Sequence, residues 1–213
     1  MRMRKKPNLI PRMERCSEVL VEEPLTYYGE WLNAFNEFER VSLELGCGKG
    51  NFTLEKAKES PDILMIALER VPEAMVVAME RVYTAGLKNV LFMSMDAANI
   101  GEVFSEGEVF RIYINFCDPW PSRKHVKRRL TSGEFLSAYK GILQHGGEIH
   151  FKTDNTALFD YSLVQFEDNG FVLSEVTRNL HGDGIRDHLT DYEKKFHSRG
   201  IPICRCVAKL LKV

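Results

Sequence analysis

Residues 41–51 read Val41-Ser42-Leu43-Glu44-Leu45-Gly46-Cys47-Gly48-Lys49-Gly50-Asn51. The apolar run Val41 to Leu45 is short enough for a buried strand. Three alternating glycines then open a turn in which the backbone can come close to a ligand. Asn51 stands where it can cap a helix reaching about Glu59. Strand, glycine turn and helix form the opening unit of an alternating α/β chain.

The same alternation continues outward. Ile63 to Leu68 reads as a second strand, ending at Glu69. Pro72 suits the first position of a helix whose inner face is Met75, Ala78, Met79 and Val82, with Gly86 as its stop. Val90 to Met95 ends at Asp96, and Val109 to Cys117 ends at Asp118. A helix is expected from Thr131 to Gln144, capped by Thr131 or Ser132 and stopped by Gly146-Gly147. Glu148 to Lys152 is a fifth strand ending near Asp154, and Asn155 to Asp168 a helix. Phe171 to Val176 and Ile201 to Leu210 are the last strands. The expected fold class is α/β: a Rossmann-like, doubly wound, mostly parallel seven-stranded sheet with helices on both faces and an antiparallel last strand.

The 213 residues suit one domain with decorations. Residues 1–25 read as an N-terminal arm and 26–213 as the domain. The arm has Pro7, Pro11 and Pro24; it is either a frayed terminus or a polyanion-binding segment that orders on contact. From Tyr27 to Phe38, the residues Tyr28, Trp31, Leu32 and Phe35 recur at helical spacing, a stripe for core packing rather than a binding platform.

The net charge of −1 hides segregation. Arg2, Arg4, Lys5, Lys6, Arg12 and Arg15 meet only Glu14 in residues 1–15, whereas residues 16–39 carry Glu and no Lys or Arg. Residues 123–129 carry Arg123, Lys124, Lys127, Arg128 and Arg129 and no acid. Local fields of this kind govern polyanion docking. Five cysteines without a C-x-x-C pair argue against a disulfide framework or a zinc site, so no metal is expected. Reduced thiols point to a cytoplasmic protein. No stretch approaches the roughly 18 apolar residues of a membrane span, so no membrane association is expected.

Glu44, Glu69, Asp96 and Asp118 lie in or after successive strands. Ligands of open α/β sheets bind outside the strands' carboxyl ends. Acids converging there suit a ligand rich in hydroxyls and amines and repel a pyrophosphate. The Gly46-x-Gly48-x-Gly50 turn lacks the dinucleotide spacing. With Glu44 before it, the loop resembles the first motif of class I S-adenosyl-L-methionine-dependent methyltransferases. That resemblance implies Gly46 and Gly48 beside the methionyl and ribose portions, Glu69 on the ribose hydroxyls, and Asp96 with Ala97 near the adenine. NAD is the other ligand Glu69 suits, but no dyad for hydride transfer accompanies it.

The stretch Asn115-Phe116-Cys117-Asp118-Pro119-Trp120-Pro121, followed by His125-Val126-Lys127-Arg128-Arg129-Leu130, resembles the bacterial tRNA (guanine-N7-)-methyltransferases. Phe151-Lys152-Thr153-Asp154-Asn155 and Thr190-Asp191-Tyr192-Glu193-Lys194-Lys195-Phe196 are similar as well. The resemblance implies that the substrate is guanine 46 of the tRNA variable loop. It implies cofactor contacts at Glu44, Glu69, Asp96 and Asp118, with Asp118 catalytic. It implies substrate contacts at Asp154, Thr190, Asp191, Tyr192 and Glu193, and RNA contacts over Lys124 to Arg129. Arg123 and His125 are included in that RNA-binding group. The family commonly has Lys after D-P-W-P as a substrate contact; here Ser122 stands there, and Arg123 or Lys124 can substitute.

The chemistry of the residues agrees. Guanine N7 carries a lone pair and no proton, so alignment can replace a general base. A fixed carboxylate favours a base that becomes cationic, which suits Asp118. Guanine N1–H and N2–H₂ suit a bidentate acceptor, which suits Asp154. The N7 edge is hidden in the deep groove of an RNA helix, so a splayed loop base held by Trp120 or Tyr192 is expected. Lys124, Lys127 and Arg128 would share one helical face. His125, His181 and His188 read as loop or packing residues, and Arg178 to Leu189 as a loop that closes over substrate. Two alternatives remain from sequence: a class I methyltransferase of a small molecule or protein, and a non-catalytic RNA-binding relative. Monomer and homodimer are equally compatible.

Overall fold

The computed structural model describes residues 6–185, 187–193 and 200–211. The strands are β1 (Arg40–Leu45), β2 (Ile63–Leu68), β3 (Val90–Met93), β4 (Val109–Asn115), β5 (Leu143–Thr153), β6 (Phe171–Thr177) and β7 (Cys204–Leu210). They form one sheet in the order β3-β2-β1-β4-β5-β7-β6. The β1–β2, β2–β3, β1–β4 and β4–β5 pairs are parallel, and β7 is antiparallel to both β5 and β6. This is the sheet expected from the sequence. The helices are α1 (Leu9–Arg15), α2 (Trp31–Ala34), α3 (Asn51–Glu59), α4 (Pro72–Ala85), α5 (Gly133–Ile142) and α6 (Thr156–Asp168). The central strands are nearly continuous apolar runs because helices cover both faces; Leu43, Ile66, Ile112 and Ile149 are fully buried. Among the described residues, no helix is long and apolar enough to cross a membrane.

Several boundaries differ from expectation. The helix expected over 27–38 is broken: a 3₁₀ turn (Pro24–Tyr27), then Gly29 at φ 75°, then the four-residue α2. Its aromatic stripe is nevertheless core. Trp31 is completely buried, donates from Nε1 to the Val103 carbonyl (3.1 Å) and stacks on Tyr27 and Phe104. Tyr28 alone among the named stripe points outward, about half exposed. Helix α5 ends at Ile142, not Gln144, because Leu143 already pairs with Val109 in the sheet. Gly146 and Gly147 therefore shape an irregularity in β5 rather than stop a helix. A Cβ on Gly147 would lie 2.8 Å from the Gln144 carbonyl oxygen. Strand β4 ends at Asn115, since Phe116 turns to φ 52°.

The described part of the N-terminal segment is docked, not frayed. Arg12 of α1 forms a two-point ion pair with Glu80 of α4 through Nε (2.7 Å) and Nη2 (2.6 Å). Cys16 and Val19 are buried, and Leu20 bridges to Phe92 of β3. Arg2, Arg4 and Lys5 of the basic arm lie outside the described residues.

Candidate active site

The carboxyl ends of β1 to β4 open into one cleft of about 920 Å³. Its lining includes Gly46, Glu69, Asp96, Ala97 and Asp118, together with Trp120, Lys127 and Arg128. The fold thus brings Gly46, Glu69, Asp96 and Ala97 of the expected cofactor residues, the expected catalytic carboxylate and part of the basic patch to one opening, whose lining does not include Glu44 or Gly48.

The loop after β1 is held by the Leu68 carbonyl, which accepts from the Gly46 and Cys47 amides (both 2.9 Å), and by the Glu69 carboxylate. Glu69 accepts from the Gly48 amide through Oε2 and from the Val71 amide through Oε1, both at 2.9 Å. Each oxygen keeps a further lone pair for a ligand hydroxyl. Gly46 and Gly48 have positive φ, and a Cβ built on either meets nothing within 4 Å. The space beside them is open to a ligand. Asp96 accepts from the Ala98 amide (3.0 Å) and pairs with Arg70 (3.0 Å) at the start of a 3₁₀ turn.

Glu44 is placed differently from its neighbours. It is 1 % exposed, with Oε2 accepting from Thr53 Oγ1 (2.5 Å) and Oε1 from Asn115 Nδ2 (3.2 Å). Burial pushes its carboxyl up to about 7, opposed by those two hydrogen bonds and by the nearby charge of Lys152. Asn115, not Glu44, lines the cleft. Asn115 also lines a second cavity of about 460 Å³ on the α3 side of the sheet, beside Tyr113, His150 and Lys152.

Asp118 is exposed at the cleft edge, on a backbone strained on both sides: Phe116 has φ 52° and Trp120 φ 41°. Non-glycine residues with positive φ cost of order 1–3 kcal/mol each and persist only where the surroundings over-determine them. Here the Phe116 amide donates to the Lys152 carbonyl (2.9 Å). Arg129 donates to the carbonyls of Pro119 (3.0 Å) and Trp120 (3.1 Å) and lies 4.3 Å from the Tyr161 ring centroid. Arg129, expected on RNA, instead braces the turn.

The remaining basic residues form a 3₁₀ turn, Arg123–Arg128, rather than an α-helical face. At three residues per turn, Lys124 and Lys127 align and Arg128 is rotated away. Ser122, Arg123 and Lys124 are exposed. Lys127 pairs with Glu134 (2.6 Å). Arg128 lies 5.0 Å from the Trp120 ring centroid, and His125 meets the same ring edge-on at 5.7 Å.

The other expected substrate residues are split between the surface and the interior. Tyr192 donates to Asp154 Oδ2 (3.4 Å) and tilts against Phe116 (5.2 Å), which puts Asp154 and Tyr192 beside the strained turn. Glu193 is completely buried, paired with Lys152 (3.0 Å) and with His181 (2.9 Å). Thr190 Oγ1 accepts from the Glu193 amide (2.9 Å). Asp191 is held by Arg81. Asp191 and Glu193 therefore hold the loop, where sequence had them facing substrate. Lys194, Lys195 and Phe196 of that motif lie outside the described residues.

Sequence reasoning missed Arg81, Thr53 and Lys152. Arg81 looks like one more surface charge on α4. Lys152 looks like the polar partner in an alternating strand, yet it is 2 % exposed and donates to the His188 carbonyl (2.8 Å), Glu193 (3.0 Å) and Asp187 (3.1 Å). Only the loop folding back over β5 supplies those acceptors.

Comparison with known proteins agrees with this geometry. Residues 39–206 match the model of a family described as putative methyltransferases. The tRNA (guanine-N(7)-)-methyltransferase of Geobacillus kaustophilus (strain HTA426) is 41 % identical over 209 residues, 98 % of this chain and 96 % of the relative. The chain belongs to the tRNA (guanine-N(7)-)-methyltransferase family. Another member, from Bacillus subtilis (strain 168), is 40 % identical over 206 residues, covering 96 % and 97 %. Membership makes S-adenosyl-L-methionine the cofactor for which the cleft is to be read. The fold extends beyond the family. A 16S rRNA methyltransferase, KamB, superimposes with a TM-score of 0.65 at 15 % identity, over 86 % of this chain and 94 % of the other. A structure described as an antibiotic related methyltransferase gives 0.64 at 17 % identity, with the same coverage.

Proposed function

We propose that this chain transfers a methyl group from S-adenosyl-L-methionine to N7 of the variable-loop guanine, position 46, of tRNA. One observation carries the reading: Glu69, Asp96 and Asp118 share a cleft with Trp120, Lys127 and Arg128. A cofactor rich in hydroxyls and amines and a polyanionic substrate thus meet at a single opening. When bound, the cofactor supplies a methyl group carried on a sulfonium.

The residues divide the work. Gly46 and Gly48 leave the open wall against which the cofactor lies, Glu69 accepts from its ribose hydroxyls, and Asp96 with Ala97 borders its base. Glu44, through Asn115, polarises the floor. Asp118 stands where positive charge leaves sulfur and appears on guanine, and a preorganised carboxylate stabilises that movement. Because N7 has no proton, no side chain has to remove one. Asp154 accepts from the guanine N1–H and N2–H₂, while Tyr192 and Trp120 flank the base. Thr190 fixes the end of the substrate loop. Ser122, Arg123, Lys124, His125 and Arg128 face the phosphates, the two cations after Ser122 standing in for the lysine that the family resemblance implies there. The five unpaired thiols support a cytoplasmic setting.

The experiment is to incubate unmodified tRNA transcript with the enzyme and labelled cofactor, then cleave with borohydride and aniline. A single break at the variable-loop guanine is expected. Label in another nucleotide, in protein or in small molecules only, would overturn the assignment.

A further inference from the structure

The loop carrying Thr190–Glu193 is tied to the glycine loop after β1 at two points. Asn51, the first residue of α3, donates from Nδ2 to the Leu189 carbonyl at 2.6 Å. Arg81 of α4 makes the other tie. Its Nη1 donates to the Lys49 carbonyl (2.8 Å) and to Asp191 Oδ2 (2.6 Å), and its Nη2 donates to Asp191 Oδ1 (3.0 Å). One planar guanidinium thus grips a carboxylate with two parallel bonds while reaching a main-chain carbonyl between Gly48 and Gly50. An ammonium, a point charge on a flexible stem, cannot reproduce that fork.

Helix α4 is itself set against the glycine loop. Gly50 has φ 74°, and a Cβ there would lie 2.5 Å from the Ala78 Cβ. Ala78 and Arg81 are three residues apart, so they share a helix face. The close approach at Gly50 therefore presents Arg81 to Lys49.

We infer that Arg81 is a positioning residue that couples occupancy of the cofactor loop to docking of the Thr190–Glu193 segment over the site. The inference rests on the function proposed above. Gly46, Gly48 and Gly50 all have positive φ, and glycine backbone has many states to lose. A ligand that holds the loop in one of them fixes the direction of the Lys49 carbonyl. Arg81 is then pre-aimed, and Asp191 docks onto it. By linkage, docking of substrate on that segment tightens cofactor binding by the same factor.

The test compares wild type with Arg81→Met, Arg81→Lys and Asp191→Asn. Cofactor affinity is measured with and without saturating tRNA, and hydrogen exchange of residues 187–193 with and without S-adenosylhomocysteine. In wild type, tRNA is expected to tighten cofactor binding by about tenfold, and S-adenosylhomocysteine to slow exchange in the segment. In all three variants both effects disappear, and the Arg81→Met/Asp191→Asn double variant is no worse than either single. Asp191→Asn leaves α4 intact, which separates coupling from folding. A tightening factor retained in Arg81→Met, or additive losses in the double variant, overturns the inference. So does unchanged exchange in wild type on adding S-adenosylhomocysteine. If wild type labels no tRNA but shows Arg81-dependent protection, the tRNA assignment fails and the bridge stands.

Discussion

Arg129 Nε and Nη2 donate to the carbonyls of Pro119 and Trp120, so a cation from the basic stretch holds the turn that presents Asp118. Arg129→Ala removes both bonds from a strained backbone. The expected result is a loss of roughly 1–3 kcal/mol of stability and a fall in kcat, with the salt dependence of tRNA binding unchanged. A flatter salt slope would assign Arg129 to phosphate instead.

Asp118 is exposed and lies outside the packed core. Asp118→Ala is expected to keep the wild-type melting temperature while kcat falls by about 10²–10³, the usual loss for one preorganised electrostatic group and a larger effect than any change in cofactor affinity. Steady-state kinetics on unmodified tRNA, beside calorimetric titration with S-adenosylhomocysteine, read the two effects separately. Full turnover by the variant removes the catalytic role.

The exposed cations predict distinct salt behaviour. Arg123 and Lys124 are unburied on the 3₁₀ turn, whereas Lys127 is paired with Glu134. Arg123→Ala/Lys124→Ala is expected to flatten the plot of log affinity against log salt by roughly one to two, because each neutralised phosphate adds about 0.7–0.9 to the slope. Glu134→Gln, which releases Lys127, is expected to tighten tRNA binding at low salt. An unaltered slope in the double variant would turn this surface away from RNA.

Glu44 makes stability depend on pH. Its folded-state value, about 7, lies above the ordinary carboxyl value of 4.5. The unfolded chain therefore releases this proton first. Glu44's contribution is fully present below about 4.5, declines as pH rises to about 7, and is then lost. The span corresponds to about 3 kcal/mol. Glu44→Gln keeps an acceptor for Thr53 and is expected to remove that decline in urea melts between pH 4.5 and 7. Glu148, held down to about 2 chiefly by its hydrogen bond with His150 and also by Arg111, acts oppositely. Its contribution is present above 4.5 and lost as pH falls towards 2. Identical pH dependence of wild type and Glu44→Gln between pH 4.5 and 7, a comparison in which the opposing contribution of buried His150 cancels, would contradict the Glu44 assignment.

Two glycines of one loop separate packing from ligand access. Gly50→Ala adds a Cβ 2.5 Å from Ala78 at φ 74°. Left-handed backbone and overpacking together are expected to destabilise by about 2–4 kcal/mol. Gly46→Ala has a similar φ, 77°, but meets no atom within 4 Å. It is expected to cost about 1–2 kcal/mol of stability and to weaken cofactor binding because Gly46 lines the cleft. Thermal melts with and without S-adenosylhomocysteine check both, and equal stabilities for the two variants would contradict the close approach at Gly50.

The sheet was legible in the sequence because its signals are local. Ile63–Leu68 is a continuous apolar run and Val109–Asn115 a largely apolar one, each short and bounded as a covered strand requires, and Pro72 and Gly86 bound α4 by their own backbone preferences. Glu69, Asp96 and Asp118 were legible for the same reason: each follows a strand, and strand ends in a parallel sheet converge. The aromatic stripe at 27–38 was right about burial and wrong about one continuous helix, since Gly29 outweighs the spacing. What a charged side chain does was decided by tertiary structure alone. Arg129, Asp191, Glu193 and Arg81 look alike along the chain, as solvated charges on turns or a helix. Their partners are Pro119 and Trp120, Arg81, Lys152 and the Lys49 carbonyl. Most of those partners are far away along the chain, and long-range pairing of this kind leaves no periodicity in sequence. Which acids and cations face the cleft, and which hold it together, follows only once the loop over β5 has closed.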